Sequence, residues 1–188
     1  MQVVIPQPFL KSKKLPGNFY KSKKIKEELN SHLSDMFGKN NYIAYIDKTQ
    51  IYLSKTKIVK EKILKVSTAF LLTIEGMEEV FIPEIKVKSI HNSSIGFKIK
   101  NSDHSKESGD ILCHMSAGWM EERVFGTTHS TAYSDDSHVP LFCCGWSIQK
   151  GETIKPYVIT QIAPTHSFLL DIPLPSGLNR EAIEEIFD

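Results

Sequence analysis

The stretch "KSKKIKEELNSHLSDMFGKNN" (residues 21–41), with "YIAYID" (42–47) and "QIYLS" (50–54) behind it, sets the architecture of the first half of the chain. Ile25, Leu29, Leu33 and Met36 or Phe37 recur at helical spacing, and Gly38 stands where a helix-terminating glycine belongs. The two short runs that follow read as strands, and the Lys48-Thr49 pair joins them tightly without being a preferred turn pair. Downstream, "KTKIVKEKILKVSTAFLLTIEG" (55–76) predicts a second helix ended by Gly76, and "MEEVFIPEIKV" (77–87) a strand interrupted by Pro83. The order helix, strand, strand, helix, strand is most of a split β-α-β unit. Its missing first strand is expected in "VVI" at 3–5 or around Phe19. Residues 10–90 thus read as a small α+β unit with an antiparallel sheet and ferredoxin-like order.

Beyond residue 90 the character changes. Residues 90–110 are polar and loop-like, with one helical turn expected among them. "DILCHMSAG" (110–118) reads as a strand with Ile111, Cys113 and Met115 on the inner face and Leu112 and His114 on the other. "HVPLFCCGW" (138–146) is a nearly continuous apolar run bounded by Pro140 and Gly145, the pattern of a strand covered on both faces. A helix is expected from about Thr160 to Leu170, with Pro164 near its first turn.

Composition limits the partners. The chain has 188 residues, 40% hydrophobic and 24% charged, with 23 basic against 22 acidic side chains. It can bury a core, and no global charge argues for nucleic acid or an anionic membrane. Seven lysines between Lys11 and Lys26 read as the solvated face and approach of the first helix, because no arginine is interleaved and Glu27 and Glu28 follow at once. No run approaches the ~18–20 apolar residues of a membrane helix. The opening "MQVVIPQPFLKSKK" lacks the form of a signal peptide, being cut by Pro6 and Pro8. Cys113, Cys143 and Cys144 form no disulfide framework and are expected as small buried hydrophobes.

No His-Glu-x-x-His or Cys-x-x-Cys pair writes a local zinc site. No Gly-x-Ser-x-Gly elbow offers a nucleophile. His32, His91 and His104 fit surface positions. His129 lies in "GTTHSTAYSDDSHVPLFCCGWS" (126–147), in a loop leading to the apolar run. On the residues alone it is equally a metal ligand or an ordinary loop histidine. His138, beside the apolar run, reads as a packing residue at the start of the strand.

The segments "GTTHSTAYSDDSHVPLFCCGWSIQKGE" and "YVITQIAPTHSFLLDIPLPSG" resemble the C-terminal part of bacterial alkaline phosphatases. The branch is the one close to nucleotide pyrophosphatase/phosphodiesterases and typical of Bacteroidetes. "SGDILCHMSAGWMEE" (108–122) and, less specifically, "FLKSKKLPGNFY" (9–20) extend the likeness. The resemblance implies an α/β fold: a small α+β subdomain at 1–107, and the last strands and helix of the phosphatase core at 108–188. It implies two zinc ions around a Thr or Ser nucleophile, with the "GTTH" histidine, His129, as one zinc ligand. It implies hydrolysis of phosphate monoesters by the intact enzyme, in a periplasmic or secreted setting.

The departures matter as much. No Asp-His-Gly motif and no nucleophile segment occurs in the chain, so one ligand of the site is expected here and the rest elsewhere. The chain is accordingly expected to be a C-terminal portion, inactive alone and prone to self-association through uncovered strands. Gln161 stands where the family usually has Asp, His166 follows that motif, and "FCCGW" replaces a more aliphatic strand. An alternative reading keeps the scaffold but makes the chain a non-catalytic interaction or dimerisation module.

Overall fold

The computed structural model describes residues 7–83, 94–102, 104, 106–122 and 131–187. The described chain is of the α/β class, with helices and both parallel and antiparallel pairing. It forms two compact units, residues 1–139 and 140–188.

In the first unit the elements run α1 (Gln7–Ser12), β1 (Phe19–Tyr20), α2 (Ser22–Phe37), β2 (Ile43–Asp47), β3 (Gln50–Leu53), α3 (Lys60–Leu71), β4 (Met77–Phe81), α4 (Ser94–Ser102), β5 (Ile111–Met115), β6 (Met120–Glu121) and α5 (Ser134–Ser137). Helix α2 forms where its periodicity places it, burying Ile25, Leu29 and Leu33 along one stripe. Gly38, at φ +93°, ends it, and its N–H donates to the Ser34 carbonyl. Asn30 Oδ1 then accepts the Tyr42 N–H at 2.7 Å, and the Tyr42 hydroxyl donates to the Gly38 carbonyl at 2.8 Å. These two bonds fix the angle at which the chain enters β2. The β2–β3 hairpin turns at Lys48 and Thr49, with Lys48 at φ +54°, a conformation that costs a non-glycine residue about 1–2 kcal/mol.

Helix α3 begins five residues later than the sequence pattern suggested, at Lys60, and ends at Leu71, so that Gly76 lies in the turn before β4 and does not end the helix. Residues 55–59 precede it without a side-chain cap at Val59. Its buried face, Ile63, Leu64, Ser67 and Leu71, meets that of α2 in one core with Ile43, Ile51, Ile111, Cys113 and Met115. Helix α4 is nine residues long, more than the single turn expected there. Among the described residues, no helix is long and apolar enough to cross a membrane.

The four-stranded sheet has the order β2-β3-β5-β4, with every neighbouring pair antiparallel. Ferredoxin-like order needs a strand between β3 and β4, and the sequence reading sought it at the start of the chain. Residues 3–5 lie outside the described residues. Phe19–Tyr20 pairs parallel with Met120–Glu121 in a separate two-stranded ladder. The central position is filled by β5, whose Ile111 opposes Ile51 and whose Cys113 opposes Val80. A strand from beyond the expected 107/108 boundary is therefore the middle of the first unit's sheet. Gly76, at φ +80°, lets the turn before β4 pass against Trp119, whose ring would lie 2.3 Å from any added Cβ.

The second unit holds a 3-10 turn at Ile159–Gln161, helix α6 (Ile162–Leu169) and a 3-10 turn at Glu184–Ile186. Thr165 joins them. Its Oγ1 donates to the Gln161 carbonyl at 2.6 Å and accepts from the Ile183 N–H at 2.9 Å, and Ile183 is buried. Two sequence expectations fail here. The run 138–146 forms no strand: Phe142 and Trp146 are 86% and 88% exposed. Cys143 and Cys144, expected as core, are exposed free thiols, whereas Cys113 is buried as expected. The physical reason is the same for both. A strand of this composition needs strands paired along its edges and other elements packed on its faces, and none of the described strands pairs with this run.

Candidate functional site

The chemistry that the sequence singled out enters the described structure at Thr131, immediately after the stretch 123–130. His129, the predicted zinc ligand, lies outside the described residues, as does His91. What is described is the exit of that segment and how it is held. Tyr133 is the main anchor. Its hydroxyl donates to Glu78 Oε2 at 2.5 Å and lies 3.2 Å from the Met115 carbonyl oxygen, tying the segment to β4 and β5 at once. A second tether comes from α4, where Lys98 Nζ donates to the Ala132 carbonyl at 2.8 Å and to Ser137 Oγ at 2.7 Å. Ser137 Oγ in turn donates to the Tyr133 carbonyl at 2.8 Å, closing the short turn of α5.

Beneath Tyr133 lies His114. The alternation of β5 turns it to the sheet face opposite Ile111, Cys113 and Met115, and the Tyr133 ring covers it at 4.8 Å between centroids and 51° between planes. His114 is 5% exposed, and among the described residues neither ring nitrogen has a hydrogen-bond partner. It lines a small cavity of about 50 Å³ together with Lys48, Met120, Glu121 and Thr131.

Burial shapes the titration of this cluster. Loss of solvent pushes the His114 imidazole below its ordinary value, against the pull of the Glu78 and Glu79 carboxylates. The Tyr133 phenol is pushed up, first by burial and then by its bond to Glu78. On the neighbouring strand position, burial alone raises the Cys113 thiol to about 12 and leaves it unreactive.

A depressed histidine gives a definite sign. The unfolded chain binds a proton near pH 6.5 that the folded chain refuses. Stability is therefore full above that pH and falls as pH drops below it towards the folded value. His114→Phe keeps the aromatic contact with Tyr133 and removes two unpaired nitrogens. It should raise stability by about 1 kcal/mol at pH 7 and flatten the fall below pH 6.5, both read from urea unfolding across pH.

The other histidines have ordinary places. His32 stacks on Phe70 at 4.7 Å between helices α2 and α3. His104 lies in the loop before β5, where its carbonyl accepts the N–H groups of Glu107 and Ser108. His138 ends α5, exposed, with its N–H on the Ser134 carbonyl, in place of the strand start expected for it. His166 is exposed in the last turn of α6. The lysine-rich segment is solvated and partly paired: Lys21 pairs with Glu122 at 2.9 Å, Lys24 with Glu28 at 3.6 Å, and Lys26 donates to the Ala44 carbonyl at 2.6 Å.

The His114, Tyr133, Glu78 and Lys98 arrangement was not singled out from sequence. The strand alternation carried half of it, by placing His114 away from the core. The other half needed Tyr133 to fold back over that face, which no local pattern encodes. A catalytic zinc takes about three protein ligands. Among the described residues, no three His, Cys, Asp or Glu side chains come together in a way that could hold a metal ion. They do not fit a complete zinc centre by themselves. What the arrangement does is clamp the polypeptide that leaves residues 126–130 onto two strands and a helix.

No family model matches the chain. Among curated proteins it is 35% identical over 184 residues to alkaline phosphatase PafA of Elizabethkingia meningoseptica, covering 95% of this chain and 34% of that protein. It is 35% identical over 113 residues to alkaline phosphatase PhoV of Synechococcus elongatus, covering 60% of this chain and 19% of that one. A protein of Myroides odoratus named calcium-transporting ATPase is 24% identical over 187 residues, covering 96% of this chain and 34% of that one. The crystal structure of wild-type alkaline phosphatase PafA superposes with a TM-score of 0.87 at 31% identity, over 99% of this chain and 36% of that chain. The chain thus spans about a third or less of the length of the curated relatives it matches.

Proposed function

Because the chain corresponds to a C-terminal portion of a PafA-like alkaline phosphatase, we propose that it supplies one wall of a zinc-dependent active site that hydrolyses phosphate monoesters. In this reading His129 is one zinc ligand, and the nucleophile and remaining ligands stand in the part of the phosphatase that this chain does not match. The setting is periplasmic or secreted. The observation that carries the reading is the anchoring of the residues just after His129. Tyr133 on Glu78 and Lys98 on Ala132 and Ser137 hold the exit of that segment to rigid elements. A metal ligand borne on a loop needs such support, because a loose ligand loses its entropy on every binding event.

A chimera tests this directly. The chain replaces the matching third of the Elizabethkingia phosphatase, and zinc content and phosphomonoester turnover are measured with and without His129→Ala. Both are expected to fall in the variant. Unchanged zinc occupancy rejects the assignment of His129. The 188-residue chain alone should show no zinc-dependent turnover, since a single imidazole falls short of a catalytic zinc's ligand set. Turnover that scales with added zinc and survives controls for contaminating phosphatase rejects that part.

A further inference from the structure

His114 is a buried titratable group for which the proposed chemistry has no use. Among the described residues neither of its nitrogens finds a partner. A neutral imidazole leaves one donor and one acceptor unsatisfied there, whereas an imidazolium would leave two donors and a charge. An unpaired charge is far more expensive to bury than an unpaired polar group, so the closed site tolerates only the neutral ring. What closes it is the Tyr133 ring, 4.8 Å away between centroids. That ring is held by the bond from its own hydroxyl to Glu78 Oε2.

The charges around His114 decide where a proton on it would turn. Glu78 and Glu79, both on β4, pull on the imidazole, Glu78 the more strongly. Glu79 is its cross-strand neighbour in the ladder to β5, and Glu78 sits at the register shift of that ladder, exposed, so its carboxylate can turn. The small cavity that His114 lines also bears Tyr20 from β1, Lys48 from the hairpin turn, whose charge opposes a second cation, and Glu121 from β6, whose carboxylate already accepts from Ser22 Oγ at 2.5 Å. The Cys113 thiol on the same wall is uncharged at neutral pH, its titration pushed up to about 12. Glu78 is therefore the carboxylate that both the phenol and a protonated imidazole would claim.

We infer that His114, Tyr133 and Glu78 form an acid-released latch on the polypeptide that leaves His129, closed while His114 is neutral and opened when it takes a proton. The proton comes from solvent and stays on the imidazole. Glu78 remains a carboxylate and turns from the phenol to the imidazolium. Tyr133 keeps its own proton, and its ring moves aside so that water reaches His114. The tether to β4 and β5 is then lost, and the one from α4 through Lys98 remains. Burial of His114 sets the opening below its ordinary value of about 6.5. Acid would thus loosen the support of the ligand as well as protonate the ligand. This consequence for zinc rests on the reading of His129 as a ligand; the latch itself does not.

Histidine and tyrosine ring signals of the full 188-residue chain, followed by NMR from about pH 8 to about pH 5, test the latch without zinc. His114 is expected to titrate below about pH 6.5, and the Tyr133 ring signals to move to solvent-exposed positions with the same midpoint, while the β5 amide signals stay dispersed. In His114→Phe the Tyr133 signals should stay in place for as long as the chain is folded. Glu78→Gln is the second variant, because an amide oxygen still accepts from the phenol but offers the imidazolium no charge. It should lower the shared midpoint by about half a pH unit or more. The latch is overturned if His114 titrates while Tyr133 stays, or if it stays neutral until the whole chain unfolds. Movement of Tyr133 at an unchanged pH in His114→Phe, or a midpoint that ignores Glu78→Gln, overturns it too. The chimera described above reads the consequence for the metal. Its loss of zinc on acidification should shift down by about half a pH unit or more in His114→Phe. Loss at an unchanged pH overturns the latch's control of the metal site. Zinc occupancy that ignores His129→Ala rejects the ligand instead, and the zinc-free titration still decides the latch.

Discussion

Ile111→Ala is expected to lower the stability of the first unit by about 2–5 kcal/mol, the range for deleting a large aliphatic side chain from a packed core. Ile111 is fully buried at the start of β5, opposite Ile51 on β3, and it belongs to the same core cluster as Leu29, Leu33, Ile63 and Leu71. Its strand has neighbours on both sides, so the backbone cannot shift to close the void without disturbing two ladders. That places the effect towards the upper end of the range. Urea unfolding of the full chain should show an earlier midpoint with little change in slope. A loss under 1 kcal/mol would mean that β5 is not the centre of the sheet. Ile111→Val, which deletes one methyl group, should cost about 1 kcal/mol and serves as the scale.

Gly76→Ala is expected to cost about 3 kcal/mol through two separable causes. The backbone at Gly76 sits at φ +80°, which carries a penalty of about 1–2 kcal/mol for a residue with a Cβ. The added methyl would also lie 2.3 Å from the Trp119 ring, a contact that forces the indole or the turn to move. The indole packs against the core, so moving it uncovers apolar surface. In a Trp119→Ala background the steric part should vanish and the backbone part remain. The two substitutions should therefore be non-additive by more than 1 kcal/mol. Additivity would show that the ring does not confine the turn.

The two helices that frame the core were legible because their information is local. Ile25, Leu29 and Leu33 mark one face, and Gly38 marks the end. The hairpin was legible for the same reason, down to the awkward turn at Lys48. The place of β5 was not, although its existence and inner face were. Alternation says that Ile111, Cys113 and Met115 face one way, but not which two strands receive them, and the ladder to β3 spans about sixty residues of sequence. The run 138–146 shows the converse error. Its composition states a demand for cover, and the expected strand needs neighbours that none of the described strands supplies. The site was the least legible of all. His129 stood out only through the resemblance of its surroundings, and the Tyr133–His114 contact depends on a fold-back that neither residue's neighbours announce.

The insertion of β5 between β3 and β4 has a consequence for how the protein is made. When a ribosome has released Phe81, both flanking strands and the helix joining them exist, but the slot between them is empty. Ile111 emerges thirty residues later, on the order of a few seconds at ordinary rates of synthesis. During that interval β3 and β4 each present an unpaired edge. The nascent chain is then a template for the wrong partner, and a destabilised β5 would prolong that state in the finished protein too. Slow codons between Phe81 and Ile111, or a chaperone deficit, should therefore lower soluble yield more than the same perturbation placed after Met115.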